Sequence, residues 1–541
     1  MLVPQSVTNF SNVFSCAVIL FVAALVSLTM AQDDRNRIDL SDGSNVAIDQ
    51  PLTEAKDWFL TEQEITYSRG GAPRDGLSVY TEENAITSFT VPNEFFNSVY
   101  DDLSVVGDGQ RVLIATWDSK LIPLKPDVDV SGATTGYQKV FAGIVERGGQ
   151  VNILSWANLL ERSSVEVRNV INSLPPSPVN DARALFIFDD RLSTISSSHH
   201  QKTIVIAATS SSGHDDHPVA SALRDAAGIT MRFKGWIDGH IRIHGPAAKD
   251  VASNHLSRWN SDYMPTRGLE DDMLSFNNPP YYKLDPLDYA SSTNKSTLGK
   301  QSVQIVRTFS CKYEHYTEFA PHGETSLLQA RIKAIQNARN YIYIEDQYFI
   351  LVPELLDALL MVMPRLQHVI VVVQAPVGNV VYSGYEKYFY DMVSPLKKKY
   401  PNKFKVYTTK RKLNLYIHSK IVIIDDVYLS IGSANWNRRS MTSDSELNAN
   451  VVDQDTIKSP DGITVNKLAR DFRIRKFHEM TGVSYDKLDA MTFLDAAAQF
   501  DVAAADDMSL LQILSAKTYL YHIVFLDSIR QQVDPQDTCN T

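Results

Sequence analysis

Two short stretches of the chain place a histidine two residues before a lysine. In the second stretch, His418 and Lys420 are followed by Asp425, and a Gly-Ser-Ala-Asn turn contributes Ser433 and Asn435. Because alternate residues of a β-strand point to the same face, His418 and Lys420 would project together. An imidazole beside a fixed ammonium suits a phosphate group, and small polar side chains of the turn can add hydrogen bonds to it. The pattern therefore predicts a phosphate site.

The first stretch lies upstream, where His200 and Lys202 begin an apolar segment. Two copies of one element predict two similar halves that meet at a shared site. Two histidines can divide the cleavage of a phosphodiester, because one attacks phosphorus while the other protonates the leaving alcohol and then activates water or a second alcohol. This scheme needs neither a metal nor another cofactor. His199 would point to the opposite face of a strand, and we expect a structural role for it.

Further blocks of sequence surround the two motifs. They are Trp236-x-Asp238-x-His240 with Gly245-Pro246-Ala247, Ile344-Glu345-Asp346-Gln347-Tyr348-Phe349, and Asn437-x-Arg439-Ser440-Met441 with Asp444-Ser445-Glu446. With the two motifs, they resemble the phospholipase D superfamily from about residue 84 to residue 482. The second block is similar to a family segment that reads I-E-N-Q-Y-F, and the blocks together are similar to phospholipases D that act on phosphatidylcholine.

The resemblance implies a role for each candidate residue. His200 would be the nucleophile, His418 the general acid and base, and Lys202 and Lys420 would bind phosphate. Asp425 completes the second catalytic motif. The residues expected to contact substrate are Ser433, Asn435 and Gln347. A carboxylate often fixes the tautomer of a catalytic histidine, and we expect Glu446 to do so for His418.

The first motif departs from the family pattern at two points. Ala207 stands where the motif would have its aspartate, and the glycine-rich segment expected after it is missing. That segment would supply phosphate donors and the acid that orients the first histidine, a task for which Asp225 is a weak substitute. The run His214-Asp215-Asp216-His217 has the composition of metal ligands, but we interpret it as a solvated loop and expect no metal.

Composition restricts the class of partner. The chain has 541 residues, 44% of them hydrophobic, and a formal net charge of −11. The length suffices for two large lobes with cores of their own. The acidic charge gives no electrostatic footprint for nucleic acid and disfavours a nuclease. We expect a phospholipid at a membrane surface as the substrate.

The ends of the chain predict secretion. Residues 1–31 carry no charged side chain and form an apolar stretch that ends in small residues, as in a cleaved signal peptide; an uncleaved membrane anchor is the alternative. Cys311 and Cys539 would remain in the mature chain, either paired or as two free thiols. Residues 32–83 have a weak pattern that favours a loosely packed leader.

Alternating apolar strands and amphipathic helices predict an α/β fold of two similar lobes, each a mixed sheet flanked by helices, with the site between them. We place the first lobe at 84–290, a polar linker at 291–300, the second lobe at 301–482 and a helical tail at 483–541. The leading hypothesis is hydrolysis or headgroup exchange of glycerophospholipids such as phosphatidylcholine. The alternatives are another phosphodiesterase or nuclease of the superfamily, and a lipid-binding protein without catalysis.

Overall fold

The structure is a computed structural model that describes residues 46–158, 163–194, 196–208, 219–221, 235–262, 278–286, 299–313, 316–376, 384–515 and 527–537. The signal-peptide segment, Asp225 and the run 214–217 lie outside these residues.

The first half of the described chain alternates helices with strands. Its helices are α1 (Ala55–Trp58), α2 (Glu62–Tyr67), α3 (Pro92–Ser104), α4 (Tyr137–Glu146), α5 (Ser163–Asn172) and α6 (Pro246–Trp259). Its strands are β1 (Thr81–Phe89), β2 (Gln110–Thr116), β3 (Gln150–Trp156), β4 (Ala184–Asp189), β5 (Thr203–Ala208), β6 (Val219–Ser221), β7 (Gly235–Ile237) and β8 (His240–His244).

The second half repeats this rhythm. Its helices are α7 (Ser326–Asn337), α8 (Pro353–Val362), α9 (Tyr385–Lys399), α10 (Arg438–Thr442), α11 (Lys467–Thr481), α12 (Tyr485–Asp489), α13 (Phe493–Ala505) and α14 (Asp527–Val533). Its strands are β9 (Gln301–Thr308), β10 (Tyr341–Asp346), β11 (His368–Val373), β12 (Phe404–Thr409), β13 (Leu415–Ile417), β14 (Lys420–Ile424), β15 (Tyr428–Gly432), β16 (Glu446–Asp453), β17 (Thr456–Lys458), β18 (Thr464–Asn466) and β19 (Leu511–Ile513).

The two halves share one strand order. The first reads β1-β8-β6-β5-β2-β3-β4 and the second β9-β16-β15-β14-β10-β11-β12, with β19 added at the outer edge. In each half three strands run parallel, β2-β3-β4 and β10-β11-β12, and the others are antiparallel. Antiparallel pairing of β1 with β9 joins the halves into one sheet across the described residues. The expected α/β fold of two similar lobes is confirmed.

The parallel strands form because both faces of the sheet are covered. All six residues of Tyr341–Asp346 and the last five of His368–Val373 are buried, as near-continuous apolar runs predict. Helices α11 and α13 cover one face of the second half, where Phe477, Phe493 and Phe500 pack with the sheet residues Tyr341 and Tyr343. This packing holds β10 in the sheet, and the candidate residue Gln347 directly follows β10.

Part of the leader packs against the second lobe, so the expected loose packing is wrong for these residues. Trp58, Phe59, Leu60 and Ile65 are at most 2% exposed and join the core of the second lobe. Lys333 of α7 donates hydrogen bonds to the carbonyl of Phe59 and to the carboxylate of the leader's Glu64. Trp58, Phe59 and Leu60 are consecutive, and together with Ile65 they are too few to give a periodic signal.

Cys311 is disulfide-bonded in the structure, and the other two cysteines of the chain lie outside the described residues. The C-terminal tail reaches the same place, because the carboxylate of Asp537 accepts hydrogen bonds from Ser193 and Ser310. Among the described residues, no helix is both long enough and apolar enough to cross a membrane.

Candidate active site

Two short backbone contacts between the lobes place the histidines. His199 pairs in parallel with Ser445, and the backbone N–H of His200 donates to the carbonyl of Ser445 at 2.9 Å. Strand β13 pairs in parallel with β7, and the backbone N–H of His418 donates to the carbonyl of Ile237 at 2.9 Å. Each histidine therefore follows a segment that is fixed by the opposite lobe.

The residue after each of these acceptors is an acid that contacts the same histidine. Nδ1 of His200 lies 3.0 Å from Oε1 of Glu446, and Nδ1 of His418 lies 2.9 Å from Oδ2 of Asp238. An ionised carboxylate can only accept hydrogen bonds, so each Nδ1 carries a proton and donates it. Nε2 is therefore the ring nitrogen that can react. Each lobe thus supplies the carboxylate that orients the histidine of the other lobe.

This geometry corrects one sequence-based expectation. Glu446 contacts His200 and not His418, because β16 begins beside the first motif rather than the second. Asp238, which had no role in the sequence-based scheme, holds His418 instead. The signal that could have found it is the Trp-x-Asp-x-His block, where an acid stands directly after an apolar strand.

The charges at the first histidine favour a neutral imidazole. Burial lowers the pKa of His200 to about 3, the ammonium groups of Lys202 and Lys420 act in the same direction, and Glu446 opposes them. For Glu446, burial disfavours the charged form, but the hydrogen bond from His200 and the charge of Lys202 outweigh it and lower the pKa to about 2. An unprotonated Nε2 next to two cations is the state that an attack on phosphorus requires.

Both lysines are anchored to the strand that carries them. Nζ of Lys202 donates to the carbonyl of His200 at 2.7 Å, and Nζ of Lys420 donates to the carbonyl of His418. Nζ of Lys420 also donates to Oε1 of Gln347 at 2.9 Å. Since Lys202 is 3% exposed and Lys420 is fully buried, both charges act in a poorly solvated space where an anion gains most from them.

The Gly-Ser-Ala-Asn turn contacts both Glu446 and His200. Oγ of Ser433 donates to Oε2 of Glu446 at 2.5 Å, and the carbonyl of Ser433 lies 3.0 Å from Nδ1 of His200. Asn435 is 5% exposed, and its Oδ1 has no hydrogen-bond partner within the described part of the chain. Ser433 therefore holds the orienting acid, while the amide of Asn435 remains a candidate for contact with substrate.

Asp425 does not reach the site, which corrects its assignment as a catalytic residue. It follows the last residue of β14, whereas Lys420 is the first, so the length of the strand separates them. Its carboxylate accepts the backbone N–H groups of Arg339, Asn340 and Tyr341 at 2.6 to 2.8 Å. The aspartate of the motif fixes the chain before β10 and has a structural role.

Ala207 stands in the first lobe at the motif position that Asp425 occupies in the second. Ala207 is a buried strand residue opposite Arg111 of β2. The turn before β2 is held by another side chain, since Oε1 of Gln110 accepts the backbone N–H of Gly107 at 2.9 Å. By comparison with Asp425, the alanine at this position removes no group that faces substrate.

His199 is a structural residue, in agreement with expectation, but it also connects the lobes. It is 1% exposed, and its Nε2 lies 3.1 Å from the carboxylate of Asp189 while its Nδ1 lies 2.8 Å from Oγ of Ser445. Arg191 and Arg258 complete a buried ion cluster around Asp189. This cluster fixes the backbone immediately before His200.

Aromatic rings flank each histidine. The ring of Trp117 lies 6.3 Å from that of His200 and 5.6 Å from that of Trp156. The ring of Trp236 lies 4.7 Å from that of His418 and 5.2 Å from that of Tyr416. The sequence analysis assigned no function to these aromatic pairs, which give the site apolar walls.

Comparison with known proteins identifies the family. The model described as "Phospholipase D" matches residues 225–354, and the one described as "Cardiolipin synthase, PLD-like domain" matches residues 332–466. The chain belongs to the phospholipase D superfamily. The first match begins after His200 and Lys202, so the evidence for the first motif comes from the geometry described above.

Individual relatives cover parts of the chain. Phospholipase D1 of Mus musculus is 27% identical over 305 residues, which span 46% of this chain and 27% of the relative. A cardiolipin synthase of Oceanobacillus iheyensis is 25% identical over 264 residues, 48% of this chain and 45% of the relative. The structure of phosphatidylserine synthase from Haemophilus influenzae covers 69% of this chain and 84% of that one, with 15% identity and a TM-score of 0.47. The chain thus spans about a quarter of the length of the mouse phospholipase D1 and slightly less than half of the length of the cardiolipin synthase.

Proposed function

We propose that the protein is a phosphodiesterase that cleaves glycerophospholipids such as phosphatidylcholine and transfers the phosphatidyl group to water or to a second alcohol. One observation carries the proposal: each of the two motif histidines has a lysine two residues on and a carboxylate from the opposite lobe at its Nδ1. In the sequence, the first motif lacks an orienting acid in the segment that follows it. Glu446 supplies that acid, which favours an active enzyme over a lipid-binding protein without catalysis.

The reaction follows from the state of the two rings. Nε2 of His200 attacks phosphorus and forms a P–N bond, while the P–O bond to the headgroup breaks and His418 gives its Nε2 proton to the leaving oxygen. His418 then takes a proton from water or an alcohol, whose oxygen displaces His200 from phosphorus. Lys202, Lys420 and Asn435 bind the phosphoryl oxygens and stabilise their charge in both transition states.

The side chains around the histidines support a lipid with a cationic headgroup. Aromatic faces bind quaternary ammonium groups, and Trp117 with Trp156 on one side, or Trp236 with Tyr416 on the other, offers such faces beside the phosphate site. A nucleic acid is disfavoured, because a formal net charge of −11 repels a polyanion.

The loop after β2 supports action at a membrane surface. It leaves the site at Trp117 and carries Val128 and Val130, which are 79% and 84% exposed. The carboxylate of Asp129 accepts backbone N–H groups of this loop, those of Thr134 and Thr135 among them, so the loop is ordered while its valines face solvent. Exposed apolar residues on an ordered loop that begins at the site suit contact with a lipid layer. A signal peptide at 1–31 would direct the protein to the exterior, and secretion is part of the proposal.

The experiment measures headgroup release and the covalent intermediate together. Purified protein is mixed with phosphatidylcholine in detergent micelles, choline and phosphatidic acid are quantified, and the acid-labile adduct is located by peptide mass spectrometry. We expect turnover by the wild type and an adduct on the peptide that contains His200. His200→Ala should abolish both signals.

His418→Ala separates the two roles, because it removes the group that activates water. This variant should lose turnover and accumulate the adduct when the leaving group is a good one, as in p-nitrophenyl phosphocholine. His478→Ala is the matched control, since His478 is an exposed residue of α11. Absence of turnover and of adduct in the wild type, with lipid binding retained, would overturn the enzyme proposal and favour a lipid-binding protein.

A further inference from the structure

A buried carboxylate lies directly behind the phosphate-binding lysine of the second motif. Asp346 is the last residue of β10, and it is paired with Lys420 in the antiparallel register of β10 and β14. Residues opposite each other in such a pair project from the same face of the sheet. Both side chains are fully buried, so their charges interact without screening by bulk water.

One oxygen of Asp346 holds the backbone on two sides of the site. Oδ1 accepts the N–H of Tyr348 at 3.0 Å and the N–H of Trp436 at 3.1 Å. These residues directly follow Gln347 and Asn435, the two candidate contacts to substrate. The carboxylate therefore connects both candidates to the strand end that faces Lys420.

The other oxygen of Asp346 is uncommitted. Oδ2 is buried and has no hydrogen-bond partner within the described ranges. The charged groups that face Asp346 are Lys420 from β14 and Arg331 from α7, and the phenol of Tyr348 lies close by. The guanidinium of Arg331 donates weakly to the carbonyl of Ala434, at 3.4 Å, within the same turn.

Asp346 lies in an environment in which both protonation states are accessible. Burial raises the pKa of Asp346 to about 6, although Arg331, Lys420 and the two backbone N–H groups oppose the increase. An anion bound at Lys420 would add a second negative charge near this carboxylate. Like charges disfavour each other, so bound phosphate favours the protonated form of Asp346.

We propose that Asp346 is a positioning residue that couples the binding of an anionic phosphodiester at Lys420 to the uptake of one proton. The inference rests on the proposed function, because it concerns the same phosphate site. The proton comes from solvent and binds Oδ2, while Oδ1 continues to accept the two backbone N–H groups. Neutral Asp346 no longer competes with substrate for the charge of Lys420, and the site therefore binds its substrate more tightly at acidic pH.

The test uses sulfate as the probe, since sulfate does not change its own protonation between pH 5 and 8. Sulfate binding is measured by titration calorimetry at pH 6.5 in two buffers of different ionisation enthalpy, which gives the number of protons taken up. The matched variant is Asp346→Asn, which keeps the acceptor at Oδ1 and removes the titration. We expect proton uptake by the wild type to exceed that by the variant.

The affinities give a second readout. One unit of pKa difference between the free and bound forms corresponds to about tenfold in affinity. The wild type should therefore lose about tenfold in sulfate affinity from pH 5.5 to pH 7.5, and Asp346→Asn should lose clearly less. In the wild type itself, infrared difference spectra on sulfate binding should show a new carboxylic acid C=O stretch, which tests the inference without any variant.

The outcomes separate this inference from the proposed function. Sulfate binding with equal proton uptake in both proteins, or binding without the acid band, overturns the coupling and leaves the phosphate site intact. If neither protein binds sulfate, the phosphate site and the coupling both fail. If sulfate binds with the expected proton uptake but phosphatidylcholine is not cleaved, the coupling holds and the enzyme proposal fails.

Discussion

Glu446 of the second lobe holds the ring of His200 of the first lobe, with 3.0 Å between Oε1 and Nδ1. Asp238 of the first lobe holds His418 of the second in the same manner, at 2.9 Å. The exchange follows from the two parallel backbone contacts that precede the acids. Each histidine and its acid are therefore held in register by the interface between the lobes.

Removing the charge of either acid should slow catalysis. We expect Glu446→Gln and Asp238→Asn each to lower kcat by about 10²- to 10⁴-fold, because the amide no longer fixes the reactive tautomer of its histidine. Choline release from phosphatidylcholine micelles measures the effect. Glu62→Gln is the control, since Glu62 is exposed on α2.

The two acid variants should differ when the leaving group is changed. p-Nitrophenol needs little protonation, so Asp238→Asn, which acts through the general acid, should recover much of the first step with p-nitrophenyl phosphocholine. Glu446→Gln acts through the nucleophile and should not recover. Equal recovery by both variants would contradict the assignment of His200 as the nucleophile.

Replacement of the motif aspartate should affect stability rather than chemistry. Asp425→Asn weakens a carboxylate that accepts three backbone N–H groups before β10. We expect a loss of about 1–3 kcal/mol in the free energy of unfolding, measured by urea titration. The kcat of the protein that remains folded should stay within about threefold of the wild type, whereas a loss comparable to that of His418→Ala would restore Asp425 to the site.

Buried histidines should make the fold sensitive to acid. Burial lowers the pKa of His255 to about 3, and neither ring nitrogen has a hydrogen-bond partner among the described residues. The unfolded chain takes up the proton near pH 6.5 and the folded chain does not, so stability is complete above pH 6.5 and falls as pH decreases toward 3. This residue alone should account for about 2 kcal/mol between pH 7 and pH 5.

The measurement compares His255→Gln with the wild type in urea titrations at both pH values. The variant should show a smaller loss of stability on acidification. Burial also lowers the pKa of His199 and of His368, in both cases to about 4, so part of the acid sensitivity should remain. An identical pH dependence of the two proteins would show that His255 is protonated in the folded state.

The valines of the loop after β2 should contribute to membrane contact. We expect Val128→Ser with Val130→Ser to weaken sedimentation with phosphatidylcholine vesicles by about thirtyfold, since each buried valine side chain contributes about 1 kcal/mol and the two together about 2 kcal/mol. Hydrolysis of the soluble p-nitrophenyl ester should be unchanged. Val502→Ser is the control, because Val502 is 61% exposed on α13, a helix that covers the second half of the sheet. Equal effects of both changes would exclude a specific role of the loop.

Much of the fold could be predicted because it depends on local patterns. The strands His368–Val373 and Lys420–Ile424 consist largely of continuous apolar runs, and such runs mark strands that are buried on both faces. The packing of Trp58 and its neighbours on the second lobe could not be predicted. It depends on contacts between segments that are hundreds of residues apart, and it leaves no period in the sequence.

The site was predicted in its parts but not in its pairing. The spacing of His418 and Lys420 indicates phosphate chemistry, because the period of a strand determines which side chains share a face. The partner of Glu446 is decided by the way in which two lobes meet, and sequence distance carries no information about it. Asp425 was assigned to the site from its place in a motif, whereas its contacts are made at the other end of the strand.

The supply of each orienting acid by the opposite lobe has a consequence for the evolution and assembly of the two halves. Since each histidine relies on an acid from the opposite half, a substitution in one half alters the performance of the other, and the two halves must diverge together. A product truncated in the connector at 291–300 would hold His200 without Glu446 and Asp238 without His418, and would retain no complete pair. Two separately expressed halves that reassociate would regain both pairs at once, so restored activity would report on assembly in an all-or-none manner.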